Sequence, residues 1–242
     1  AVSKLSHIHL VANEEAKKRL LQLGEDSSTI HIIGSPDLDI MLSPSLPTLA
    51  EAKSRYGIDF DSYFIAIFHP VTTDLEASAI AATEFVNGLI DSGENFIVIH
   101  PNNDTGFERI IAEYARLIED SSHFRLFKSL RFEHFLVLLK NASAMVGNSS
   151  AGIREAPLYG IPSIDVGDRQ RGRHDSVSIS QVPARAQEIT RAIQLAKQQG
   201  PVFTEQEFGD GKSTERFVEL LRSGVLFEAR VDKVFVDLKD VM

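Results

Sequence analysis
The 242 residues are enough for one large or two small domains, and 43% hydrophobic side chains supply ample material for a core. A formal net charge of −9 argues against a general nucleic-acid surface, so a phosphate ligand must be held by local positive groups, which suits a small molecule better than a polymer. The absence of cysteine excludes disulfides, thiolate metal sites and a cysteine nucleophile, and no apolar run approaches a membrane span.

The first residues lack a signal-peptide pattern, so the cytoplasm is the expected compartment and no membrane partner is expected. Residues 7–12 (HIHLVA) predict a strand, and Asn13 followed by 14–23 (EEAKKRLLQL) predicts a capped amphipathic helix closed by Gly24. Another strand is expected over 29–33. Residues 34–47 (GSPDLDIMLSPSLP) carry three prolines without clear periodicity and read as a connection. The chain starts without Met in what looks like the last βα of a fold, so 1–36 is expected to close an otherwise missing N-terminal α/β domain. Residues 37–48 are then a linker, 49–223 a nucleotide-binding α/β domain and 224–242 a C-terminal tail.

Beyond the linker, helices are expected near 49–56, 75–91, 107–119, 132–140, 184–199 and 214–223, and strands over 63–68, 96–100 and 124–127. Residues 145–173 (MVGNSSAGIREAPLYGIPSIDVGDRQRGR) read as strand, tight turn, short helix, second strand and basic loop, one βαβ unit. The alternation predicts an α/β fold, a Rossmann-like parallel sheet with helices on both faces. Such sheets bind ligands beyond the carboxyl ends of their strands.

Three strand ends carry polar signatures: His69-Pro70-Val71-Thr72-Thr73-Asp74, His100-Pro101-Asn102-Asn103-Asp104, and Gly147-Asn148-Ser149-Ser150. Ser149 and Ser150 stand where a helix begins, so unpaired N–H groups and the positive dipole end offer a phosphate site, the alternative being a plain N-cap. His69 could donate to a phosphate oxygen or protonate a leaving group, and Asn102 could bond a sugar or base. Asp74 and Asp104 fit better as helix caps. Arg169, Arg171 and Arg173 crowd one loop of an acidic chain and read equally as a diphosphate clamp or a solvated charge run. Glu155 suits ribose hydroxyls, or simply complements the helix dipole.

Together HPVTTD at 69–74, PNND at 101–104, GNSSAGIREA at 147–156, GDRQRGR at 167–173, AVSKLSH at the start and FGDGKS near the end resemble the hydrolysing UDP-N-acetylglucosamine 2-epimerases of sialic and nonulosonic acid pathways. The resemblance spans nearly the whole chain. It implies the C-terminal half of a glycosyltransferase-B type fold, with UDP held mainly by this portion. Position by position, it implies His69 near the diphosphate as the catalytic residue, and Asn102, Leu130, Ser149, Ser150, Glu155 and Arg169 as UDP-binding residues, with Leu130 beside the uracil. The implied reaction removes the C2 proton with loss of UDP, then adds water to release N-acetylmannosamine. The acid and base carboxylates belong to the absent first domain, so that domain is an expected partner and this chain alone is expected to be inactive. No metal site and no cofactor is expected, since no metal-ligand spacing occurs and no G-x-G-x-x-G follows a strand. The exact sugar and the oligomeric state, a homo-oligomer included, stay open. A non-hydrolysing epimerase, a UDP-sugar glycosyltransferase and a nucleotide-sugar-binding module without turnover remain alternatives.

Overall fold
The computed structural model describes residues 1–119, 122–172, 176–202, 208–230, 232–234 and 236–237. The chain divides into two compact units, Ala1–Leu46 with Glu205–Met242, and Pro47–Thr204.

In the first unit, α1 (Val2–Leu5) precedes a parallel pair, β1 (His9–Val11) and β2 (Ile30–Ile32), with α2 (Glu14–Gln22) between them. Asn13 caps α2 as its sequence implies, its Oδ1 accepting the Ala16 N–H at 2.9 Å, and Gly24 closes the helix at φ +75°. The linker expected over 37–48 is in part a helix, α3 (Pro36–Met41), which buries Leu38 and Met41. Pro36 sits in its first turn, where the missing N–H costs nothing, so a residue that reads as a breaker is a helix start here. The helix Ser213–Ser223 also differs from expectation, for it belongs to this unit rather than to the domain expected over 49–223. The Asp39 carboxylate caps it across the sequence, accepting the N–H groups of Ser213 at 2.9 Å and Thr214 at 2.8 Å. Within the segment expected as a tail, Lys233 lies 2.5 Å from the buried Glu25 carboxylate, which also meets Lys4 and His9 at 2.9 Å. Burial alone would raise its pKa, but hydrogen bonds from Lys233, Lys4 and His9 hold Glu25 down at about 2.

The second unit opens with α4 (Leu49–Tyr56), started by a Thr48–Glu51 capping box. It continues as β3 (Phe64–Ile67), α5 (Leu75–Ser92), β4 (Phe96–Ile99), α6 (Phe107–Ile118), β5 (Phe124–Phe127), α7 (Phe132–Lys140) and β6 (Met145–Gly147). The chain then forms α8 (Ala151–Leu158), β7 (Ser163–Val166), β8 (Ile179–Val182) and α9 (Ala186–Gln199). All six strands are parallel, in the order β5-β4-β3-β6-β7-β8. Strand β8 was hidden in the sequence by Ser180 and Gln181: an edge strand with one neighbour tolerates the polar residues that a central strand would not. Phe64, Phe68, Phe85, Phe96, Val98, Val146, Ile164 and Ile189 form the core on the face covered by α5, α6 and α9, while α8 packs on the other.

The strand order creates the site. From β3 the chain builds outward through β4 to β5, then returns to the other side of β3 as β6 and continues to β7 and β8, so the direction of winding reverses between β3 and β6. A crevice opens at such a reversal because the two flanking connections leave in opposite directions. The two strand ends meet closely: Asn148 N–H donates to the Ile67 carbonyl at 3.1 Å, and a Cβ on Gly147, at φ +137°, would stand 1.9 Å from that oxygen. Gly147→Ala should therefore destabilise this unit by about 3 kcal/mol or more, combining a forbidden dihedral with a backbone clash. A denaturant midpoint equal to that of the wild type would show that the approach is not needed.

Candidate functional site
The carboxyl ends of β3, β4, β6 and β7 bring the expected residues together. Asn148, only 1% exposed, lies at their centre. Its Oδ1 accepts the His69 N–H at 2.6 Å and its Nδ2 donates to the His69 carbonyl at 2.9 Å. Its own carbonyl accepts Arg169 Nη1 at 3.1 Å and Gln170 Nε2 at 2.8 Å. The loop after β4 joins through the Asn102 backbone N–H, which donates to His69 Nδ1 at 3.1 Å. That bond places the proton of the neutral ring on Nε2. Burial, with the Arg169 guanidinium beside it, holds the His69 pKa below the ordinary histidine value, so near neutral pH the ring is an uncharged donor.

Ser149 is half-buried and its Oγ accepts the Ala151 N–H at 3.3 Å. Ser150 occupies the N-cap position of α8 but makes no side-chain capping bond and is exposed, so the simple capping reading does not describe it. The first turn of α8 holds no acidic residue, whereas the first turns of α4, α5, α6, α7 and α9 carry Glu51, Glu76, Glu108, Glu133 and Glu188. The first turn of α8 thus supplies no counter-charge of its own to the positive helix end.

The remaining expected residues lie farther out. Asn102 has an exposed side chain that donates to Asp104 at 2.6 Å. Leu130 is half-buried beyond β5, two strands from β3, next to Arg131, whose N–H donates to the Tyr56 hydroxyl at 3.0 Å. Glu155 is half-buried one turn into α8; burial, and then the Glu155 charge, push the Tyr159 hydroxyl up to about 12. Asp74 caps α5 as expected, accepting the Ala77 N–H at 3.0 Å. The Asp104 side chain does not cap α6: the N-cap is Gly106, at φ +96°, and the Asp104 carboxylate accepts Asn102 Nδ2 instead, while its backbone carbonyl accepts the Phe107 N–H at 3.0 Å. Arg171 is exposed and ion-paired with Asp168 at 3.2 Å, and Arg173 lies outside the described residues.

Two hollows adjoin this cluster. A cleft of about 980 Å³ runs beside Asn148 and Arg169 from Pro70 and Thr72 to Pro183. A smaller one of about 330 Å³ includes Asp165, Gln170, Ser176 and Gln181 in its wall. Asp165, 4% exposed, has an Oδ1 that meets no hydrogen-bond donor among the described residues, and burial, together with the Asp168 charge, pushes its pKa up to about 6. Neither Asn148, Gln170 nor Asp165 was singled out from the sequence. Each is an ordinary polar residue whose burial is set by strands far away in the chain.

The UDP-N-acetylglucosamine 2-epimerase family model matches residues 1–222. A UDP-N-acetylglucosamine 2-epimerase of Neisseria meningitidis serogroup B is 50% identical over 241 residues, which is 98% of this chain and 63% of that protein. A UDP-N,N'-diacetylbacillosamine 2-epimerase (hydrolyzing) of Legionella pneumophila subsp. pneumophila is 33% identical over 227 residues, 92% of this chain and 59% of that protein. Methanocaldococcus jannaschii UDP-GlcNAc 2-epimerase, crystallised with UDP-GlcNAc and UDP, superimposes with a TM-score of 0.71 over 91% of this chain and 62% of that one; at 19% identity the likeness is one of fold. The chain spans less than two thirds of the length of each of these relatives.

The buried Asp165 carboxyl yields a pH test. Its folded pKa lies above the unfolded value of 3.8, so the folded state binds the extra proton and stability falls as pH rises from about 3.8 to about 6. Asp165→Asn should therefore raise stability at pH 7.5 by roughly 2 kcal/mol and give almost no gain near pH 3.5. A gain that does not depend on pH would mean that the carboxyl is not titrating in this range.

Proposed function
The chain belongs to the UDP-N-acetylglucosamine 2-epimerase family, and from that premise we propose that its second unit holds the UDP moiety of a UDP-sugar. The observation that carries this reading is the gathering of His69, Arg169 and the Ser149–Ser150 turn where the sheet reverses its winding. The diphosphate lies against the start of α8, with the Ser149 and Ser150 hydroxyls, His69 Nε2–H and Arg169 as donors. Glu155 takes the ribose hydroxyls, Leu130 lies beside the uracil, and Asn102 completes the pocket.

The reaction proposed for the complete protein is the hydrolysing one. The C2 proton leaves together with UDP, and water then adds to the resulting glucal to release N-acetylmannosamine for sialic or nonulosonic acid synthesis. The departing diphosphate gains negative charge as the C1–O bond breaks. Donors fixed in place before that moment stabilise the transition state more than the ground state, and this is how the second unit lowers the barrier. A donor that is neutral from the outset, as His69 is, stabilises that charge by hydrogen bonding without having to lose a proton. The carboxylates that move the C2 proton lie outside this chain in the proposal, so this chain binds nucleotide without turning substrate over. The hydrolysing Legionella relative supports this outcome, and the Neisseria relative, whose name carries no such qualifier, keeps the non-hydrolysing one as the second reading.

Binding is tested on the chain as it stands. With a Kd on the order of 0.1 mM, 1 mM UDP should stabilise it by about 1.4 kcal/mol, a rise of a few degrees in Tm, while uridine at the same concentration leaves it nearly unchanged. Equal shifts with both ligands would remove the diphosphate from the proposal.

The outcome of the reaction needs a polypeptide that also carries the part of the relatives missing here. In deuterated water with UDP-N-acetylglucosamine, the product should be free N-acetylmannosamine with deuterium at C2 and one UDP released per turnover, because elimination breaks the C2–H bond and re-addition draws a solvent proton. Labelled UDP-N-acetylmannosamine would establish the non-hydrolysing reaction instead. Unlabelled N-acetylglucosamine would exclude elimination, since glycosidic hydrolysis leaves C2 untouched.

A further inference from the structure
Asn148 is buried where the site is assembled, and its side chain is used in an unusual way. A primary amide carries a donor and an acceptor side by side in one plane, and here they meet the N–H and the C=O of a single residue, His69, at 2.6 and 2.9 Å. The contact resembles a rung of sheet hydrogen bonding made by a side chain. It fixes the backbone of His69, and the Asn102 N–H on Nδ1 then fixes the ring. On the far side of the same residue, the carbonyl of Asn148 takes Arg169 and Gln170, and the next residue in the chain is Ser149.

We infer that Asn148 is the positioning residue of the site: it sets the spacing of His69 and Arg169 relative to the Ser149–Ser150 turn without contacting the diphosphate itself. The inference rests on the nucleotide reading for its consequence, though not for its geometry. No other common side chain could do the same. Aspartate has no donor for the His69 carbonyl, serine cannot span both groups, and glutamine would push the peptide away by one methylene. The backbone contacts to Arg169 and Gln170 survive any substitution of the side chain, so Asn148→Ala isolates the clamp on His69.

Three readouts decide the matter. In the wild-type chain the Asn148 side-chain amide proton that donates to the His69 carbonyl should exchange slowly with solvent in NMR; rapid exchange of that proton would overturn the clamp without recourse to any variant. In Asn148→Ala, the His69 ring should titrate closer to the ordinary histidine value than in the wild type, as the released segment gains solvent, and UDP should bind about tenfold more weakly, as loss of a held donor implies. The double-mutant cycle with His69→Ala separates positioning from packing: in the His69→Ala background, Asn148→Ala should change UDP affinity less than twofold. An unchanged His69 titration, or an equal loss of affinity with and without the imidazole, would overturn the inference. If the wild-type chain fails to bind UDP while the ring titration shifts as expected, the nucleotide reading falls and the clamp stands. Asn148→Ser, read in the same way, replaces the alanine variant if the latter does not fold.

Discussion

The contact on which the second unit depends is the approach of the end of β6 to the end of β3, where Asn148 N–H meets the Ile67 carbonyl and a glycine at 147 leaves that oxygen its space. His69, Ser149, Ser150 and Arg169 are all referred to this junction. His69 leaves β3 immediately beyond it, Ser149 and Ser150 leave β6 immediately beyond it, and Arg169 returns to it from β7. A side chain at 147 would separate the two strand ends and move the histidine away from the serines, so the glycine is a requirement of the site as much as of the sheet.

The electrostatics of the unit are local rather than global. The chain is acidic overall, with a formal charge of −9, yet the start of α8 has no carboxylate in its first turn and Arg169 is held beside it. Around it, acidic first turns neutralise the neighbouring helix starts, and Asp74 both caps and neutralises α5. Burial and the arginine keep His69 neutral, so it contributes a directed donor instead of a second positive charge.

The first unit is tied by contacts of long sequence separation. Asp39 caps the helix Ser213–Ser223 across more than 170 residues, and the buried Glu25 binds Lys4, His9 and Lys233 at once. A carboxylate taken out of water at 1% exposure is tolerable only with such partners, and its pKa near 2 expresses how strongly they favour the charged form. Lys233, in a segment that looks in sequence like a loose tail, is therefore part of that cluster.

What the sequence determined by itself was whatever is encoded over short distances. The period of apolar residues placed β3 to β7 and α4 to α9 within a few residues, Asn13 and Asp74 announced their caps, and the strand alternation implied a parallel sheet with its ligand edge at the carboxyl ends. The polar strand ends also singled out His69, Ser149, Ser150 and Arg169, which the fold indeed brings to one place. What the tertiary structure alone decided was the use of groups whose partners are remote. Asn148 reads as a turn residue until β3 is known to lie beside β6, Asp165 as a strand-end carboxylate until burial raises its pKa, and Asp39 as part of a linker until Ser213 and Thr214 arrive at its oxygens. Strand order, and with it which loops become neighbours, is set by how the whole core packs, and no window of local sequence contains that information.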